Sequence, residues 1–129
     1  MYTQHHYHST TNEVLVVISD KRAELCFGGS EENGDKVVLE VGKGDVMVVP
    51  AGVGHALLRE LGTGGGKFQM VGSYPVGAKG WDMCTGEHGE REKQWKNVET
   101  VEWFERDPVY GDQGPTLDPA DGTPPKVER

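Results

Sequence analysis

The chain has 129 residues, a formal net charge of -8 and a pI near 5.0, with 35% hydrophobic and 26% charged residues. That length suits one domain with a real core, and the acidic balance excludes the basic footprint that nucleic acids or an anionic membrane surface require. The expected partners are small molecules or other proteins.

Chemistry-bearing residues appear at once. "QHHYHSTTNEV", from Gln4 to Val14, holds three of the five histidines in the chain, His5, His6 and His8, together with Glu13. Clusters of this kind arise as solvated loops or affinity tags, and also as metal ligands. In an extended chain successive side chains alternate faces, so His6 and His8 point one way while His5 and Tyr7 point the other. Two imidazoles on one face form a chelating pair. A small turn or bulge between His8 and Glu13 would return the carboxylate to the same side.

The next segments read as strands. "EVLVVIS", "RAELCFGG", "KVVLEVG", "DVMVVPAG", "HALLREL" and "KFQMVGSYP" are short, rich in Val, Leu and Phe, and bounded by glycine, Asn-Gly or proline. Their spacing predicts an antiparallel sandwich or barrel. Within "SEENGDK", Asn33-Gly34 predicts a hairpin turn. "GDVMVVPAGVGH" ends a strand at Pro50, turns through Gly52 and Gly54, and presents His55 as the next strand begins. "GTGGGK", from Gly62 to Lys67, is not a phosphate-binding loop. That motif needs glycine where Leu61 stands and Ser or Thr where Phe68 stands, so a flexible hairpin loop accounts for the glycines.

Beyond Gly86 the pattern changes. A short exposed helix is expected from about Gly89 to Lys96, then an extended "VETVEWF" from Val98 to Phe104. From Asp107 onward proline, glycine and aspartate dominate, which predicts one domain over 1–110 and an irregular or disordered tail over 111–129. Eleven of the 21 acidic residues lie after Thr85, against six of the 13 basic ones, and mark a solvated surface. The longest apolar runs, Val14 to Ile18 and Val46 to Pro50, are too short to span a bilayer. No signal peptide precedes Cys26 and Cys84 and nothing resembles a disulfide framework, so reduced thiols in a soluble cytoplasmic protein are expected. Cys26 reads as packing, His5 as a strand-exterior residue and His88 as solvated. Cys84, in a loop with Trp81, is a candidate for a pocket mouth.

The two histidine segments resemble the two motifs of the cupin superfamily. The first, G-x5-H-x-H-x(3,4)-E-x6-G, has His6, His8 and Glu13 in register. The second, G-x5-P-x-G-x2-H-x3-N, is matched by Gly44, Pro50, Gly52 and His55. "WDMCTG" and "DPVYG" extend the likeness to the single-domain YjlB-like cupins. Three motif positions depart. The opening glycine of the first motif would precede Met1, Asp20 stands for its closing glycine, and Arg59 stands for the asparagine of the second. Asn12 also stands where many members carry histidine.

The resemblance implies an all-β fold, a double-stranded β-helix or jelly-roll barrel with a short C-terminal helix. It implies one divalent transition metal per chain (iron, manganese, nickel, cobalt, copper or zinc) held by His6, His8, Glu13 and His55. Four protein ligands in a roughly octahedral shell leave two places for water, dioxygen or a bidentate substrate. Leu15 and Val17, sharing Glu13's strand parity, are expected to form an apolar wall. The expected function is a metal-dependent enzyme on a small organic molecule, oxygenase ahead of isomerase or decarboxylase. The alternatives are a non-catalytic binding or sensing cupin and a protein with a vestigial site. YjlB-like proteins carry residues ahead of the histidine segment, so the chain reads as a shortened form whose exposed sheet edge homodimerisation would cover.

Overall fold

Branched and aromatic side chains favour the pleated chain, and each of the six apolar runs forms a strand. These are β1 (Glu13–Val17), β2 (Arg22–Phe27), β3 (Val37–Val41), β4 (Val46–Val49), β5 (His55–Leu61) and β6 (Met70–Ser73), followed by one helix, α1 (Arg91–Thr100). The computed structural model describes residues 1–29, 35–86 and 89–117. The Asn33-Gly34 turn and His88 lie outside the described residues, as do residues 118–129 of the expected tail.

The strands form two three-stranded antiparallel sheets, ordered β4-β1-β6 and β3-β2-β5. Their apolar faces meet around Val17, Ala23, Leu25, Val41 and Phe68, with Met47, Leu57 and Met70 packed against that cluster. Val17 belongs to this core, so only Leu15 of the expected apolar wall reaches the cavity described below. Among the described residues no helix is long and apolar enough to cross a membrane.

Loops are fixed by specific polar contacts. The buried Lys21 ammonium donates to the carbonyls of Gly62 and Gly64, 2.5 and 3.0 Å away. A phosphate-binding nest presents N–H groups to an anion, whereas this glycine loop presents carbonyls to a cation. Near the C-terminal end Asp107 accepts from the N–H groups of Val109, Tyr110 and Thr116. Residues 111–117 are thereby turned back onto Asp107, and Thr116 also accepts from the Trp103 indole at 2.8 Å.

The helix runs farther than expected. Val98 to Thr100, read from sequence as extended, complete the last turn of α1. Gln94 and Val98, four residues apart, share the buried face, and Trp95 and Val98 lie over Gly52. Burial of that face outweighs the β preference of valine. The Gly52 loop leads directly into His55, so the helix braces one of the candidate ligands.

The N-terminal segment is the other brace. Residues 6 and 55 exchange backbone bonds of 3.2 and 2.8 Å, residues 7 and 84 exchange two of 2.9 Å, and Gly52 donates to the His8 carbonyl at 2.8 Å. Contact is closest at Gly54, where an added Cβ would stand 2.1 Å from the His5 ring. Gly54→Ala should therefore lose about 1–3 kcal/mol through overpacking. His5→Ala in the same chain should restore much of that loss, as measured in a double-mutant cycle of urea midpoints. Additive effects of the two changes would disprove the proposed contact.

Candidate metal centre

Extended backbone and strand pairing together build the site. His6 and His8 come from the N-terminal segment, Glu13 opens β1 and His55 opens β5. All four side chains are buried. The alternation expected from sequence is observed, since Tyr7 points the other way, donates to Gln94 and stacks on Trp95. His5 lies outside the cluster, against Gly54, with its ring nitrogen 3.4 Å from the Gly28 carbonyl.

The imidazoles of His6, His8 and His55 each bring one nitrogen into a group whose members lie within 4.8 Å of one another. Ring centroids are separated by 4.4 Å for His6 and His55, and by 5.3 Å for each of the other two pairs. On the outer side every ring meets a backbone carbonyl. His6 Nδ1 lies 2.8 Å from the Gln4 oxygen, His55 Nδ1 lies 3.0 Å from the Val53 oxygen, and His8 Nδ1 contacts the Asp82 oxygen. A carbonyl can only accept, so each of these contacts calls for a proton on Nδ1 and turns the Nε2 edge of the ring inward.

Glu13 completes the arrangement. Its Oε2 is 3.1 Å from His8 Nε2 and 3.4 Å from His55 Nε2, while Oε1 accepts from the Tyr74 hydroxyl at 3.0 Å. Burial works to raise the Glu13 pKa, but the bonds to His55, His8 and Tyr74 prevail and hold it well below the usual carboxylate range. Burial lowers the His6 pKa. Burial also acts against a proton on His8, yet its contacts with Glu13 and Asp82 raise its pKa on balance. Three imidazoles and a carboxylate in one buried place are held together by positive charge between them, either a proton or a cation. A divalent cation matches this donor set and the outer carbonyls orient its imidazoles.

The cluster opens into a cavity of about 240 Å³ whose remaining wall is Met1, Tyr2, Leu15, Met70, Tyr74 and Trp81, with Gly72. The wall is apolar and aromatic, with no lysine or arginine among the described residues that form it. Gly72 is needed because a Cβ there would approach Glu13 Oε1 to 2.7 Å.

Sequence reasoning missed Tyr74, Gly72 and Asp82. Their parity along the chain carries no mark of function. β6 pairs with β1 so that Gly72 opposes Leu15, and continuing that register sets Tyr74 opposite Glu13. Asp82 anchors the segment behind His8, accepting from the Ser9 N–H at 2.7 Å, from its hydroxyl and from Cys84 Sγ at 3.2 Å. Burial opposes the Asp82 charge, but the bonds from Ser9 lower its pKa overall.

Cys84, only a candidate for a pocket mouth from the sequence, is not among the residues that line the cavity. It is buried, and burial together with Asp82 pushes its pKa up to about 12. Cys26 is buried beside Ala56 across the β2–β5 pair, and both thiols are free. In the folded protein neither cysteine should react with a chromogenic disulfide at neutral pH, and both should react in denaturant. Rapid labelling of one native thiol would contradict this placement.

The comparisons with known proteins agree with this geometry. The family model described as Cupin matches residues 2–58, the stretch that contains all four clustered side chains. An uncharacterized protein, YjlB, of Bacillus subtilis (strain 168) is 36% identical over 118 residues, covering 92% of this chain and 66% of its own length. The chain thus spans just under two thirds of that relative. No solved structure gives a significant match.

Proposed function

Because the chain belongs to the cupin family and is YjlB-like, we propose that His6, His8, Glu13 and His55 hold one divalent transition metal, and that the protein is a metal-dependent enzyme acting on a small organic molecule. On this reading the two sheets are the halves of a jelly roll, with the ion near one mouth. The observation that carries the proposal is the convergence of the His6, His8 and His55 imidazoles, two of them against Glu13, at the head of an apolar cavity.

The bound ion would supply Lewis-acid or redox chemistry at its open positions. The chain's own residues do the rest. Tyr74 holds Oε1, so Glu13 offers Oε2 toward the imidazoles. Met1, Leu15, Met70 and Trp81 exclude water and favour an apolar substrate body. Among the described residues of the wall no lysine or arginine side chain can neutralise a substrate anion, so the ion would orient the substrate's polar end. Besides the four clustered residues, the titratable side chains among the described residues of the wall are the Tyr2 and Tyr74 phenols. That scarcity of proton carriers favours oxygenase chemistry over isomerisation, which requires a proton to be removed and returned. The same scarcity supports a second reading, a non-catalytic cupin in which the ion anchors a ligand.

Elemental analysis of tag-free protein purified without added metal should find close to one iron, manganese, nickel, cobalt, copper or zinc per chain. His6→Ala, His8→Ala and His55→Ala should each weaken metal affinity more than about tenfold, whereas His5→Ala should leave it unchanged. Unchanged metal content in the His55→Ala protein would defeat the proposal. Oxygen uptake by the loaded protein with candidate substrates separates the enzyme from the ligand-anchoring alternative.

Tyr74→Phe and Gly72→Ala should leave all four ligands in place yet weaken cobalt binding by about 10- to 100-fold, because each disturbs the Glu13 carboxylate. Titration by visible absorption reads this directly. Wild-type affinity in both variants would show that the orientation of Glu13 does not matter.

A further inference from the structure

Strand β3 has β2 on one side, and its other edge has no partner strand among the described residues. Its first four residues are exposed, with Val37, Val38 and Leu39 at 56%, 52% and 43%. An edge with three successive exposed apolar residues is a template for another strand. The remaining edges differ. The N-terminal segment reaches β5 through a 3.0 Å bond from the Leu57 N–H to the Tyr2 carbonyl. β6 contains Gly72, which offers no side chain, and β4 carries fewer exposed apolar side chains.

The charges flanking β3 identify its occupant. The stretch reads Lys36-Val37-Val38-Leu39-Glu40. Antiparallel pairing with an identical strand about Val38 sets Val38 against itself, Val37 against Leu39, and Lys36 against Glu40 twice over. Alternation keeps these sets apart: Lys36, Val38 and Glu40 share one face, and Val37 and Leu39 share the other. A one-residue slip one way opposes Asp35 to Glu40, a like-charge pair, and a slip the other way opposes Glu40 to Val37. Lys36 is exposed and forms no ion pair with a described residue. Glu40 lies 2.9 Å from Arg22 with both side chains more than half exposed, so it remains accessible to a second cation.

We propose that β3 is the seam of a two-fold dimer of this chain, paired antiparallel about Val38 and fixed in register by reciprocal Lys36–Glu40 contacts. The two β3-β2-β5 sheets then become one continuous six-stranded sheet. The dimer removes the exposed edge, and the proposal stands apart from the metal site, which lies at the heads of β1 and β5.

Sedimentation equilibrium tests it. The wild-type protein should have twice the chain mass of 14.1 kDa. Lys36→Glu and Glu40→Lys each turn two attractive pairs into two repulsive ones, so each variant alone should dimerise about tenfold more weakly or worse. An equal mixture of the two restores both pairs and should regain wild-type dimerisation. Far-UV circular dichroism checks that both variants fold. A monomeric wild type, variants that dimerise normally, or a mixture that stays monomeric would each overturn the proposal. Amide exchange on the wild type gives an answer that needs no variant. The β3 amides that point away from β2 should be protected at high protein concentration and exchange quickly when dilute, and equal protection at both would overturn the seam.

Discussion

His6, His8 and His55 commit their outer nitrogens to backbone carbonyls, which turns three inner nitrogens and the Glu13 carboxylate toward one buried place. Such an arrangement is costly unless positive charge fills it. Most of the described architecture serves to maintain it. The N-terminal segment is bonded to His55 on one side and to Cys84 on the other. The Gly52 loop lies beneath α1, and the Asp82 loop accepts both Ser9 donors behind His8.

Close approach is the second constraint. Where the site is tightest the chain has no side chain. Gly54 gives room to the His5 ring, and Gly72 gives room to Glu13. Gly54 stands in the loop just before His55, and Gly72 lies in β6 behind the carboxylate. Tyr74 adds a hydroxyl to the same carboxylate, so Glu13 is held from β6 as well as from its own strand. The result is a rigid polar head on an otherwise apolar cavity, a division suited to a ligand with one chelating end and one hydrophobic end.

Departures from the family motifs have local explanations. Arg59, in place of asparagine, lies on the outer face and pairs with Glu24 at 2.5 Å. Glu24 stands directly opposite Glu40 across β2 and β3, and Arg59 and Arg22 relieve that repulsion. Asp20, in place of glycine, makes an exposed pair with Lys43. Asn12 is buried between backbone groups, accepting from Ala51 at 2.9 Å and donating to the Glu102 carbonyl at 3.1 Å. It joins the segment after α1 to the loop before β5, a task its two-sided amide can perform. None of the three lies among the cavity-lining residues.

The sequence by itself determined the strands and the ligand spacing. Period-two alternation and glycine punctuation are local properties, so six strands and the opposed faces of His5 and His6 were legible without a fold. The motif spacing also named His6, His8, Glu13 and His55 before any distance was known. Tertiary structure decided what depends on register and packing. It extended α1 through Val98 because that side chain is buried, and it drew Val17 into the core and Cys84 away from the cavity. It also brought Tyr74 and Gly72 to Glu13 across the β1–β6 pair. Neither residue has a local signature, because their roles arise only from which strand lies beside which, and that choice is made by burial of the whole apolar surface.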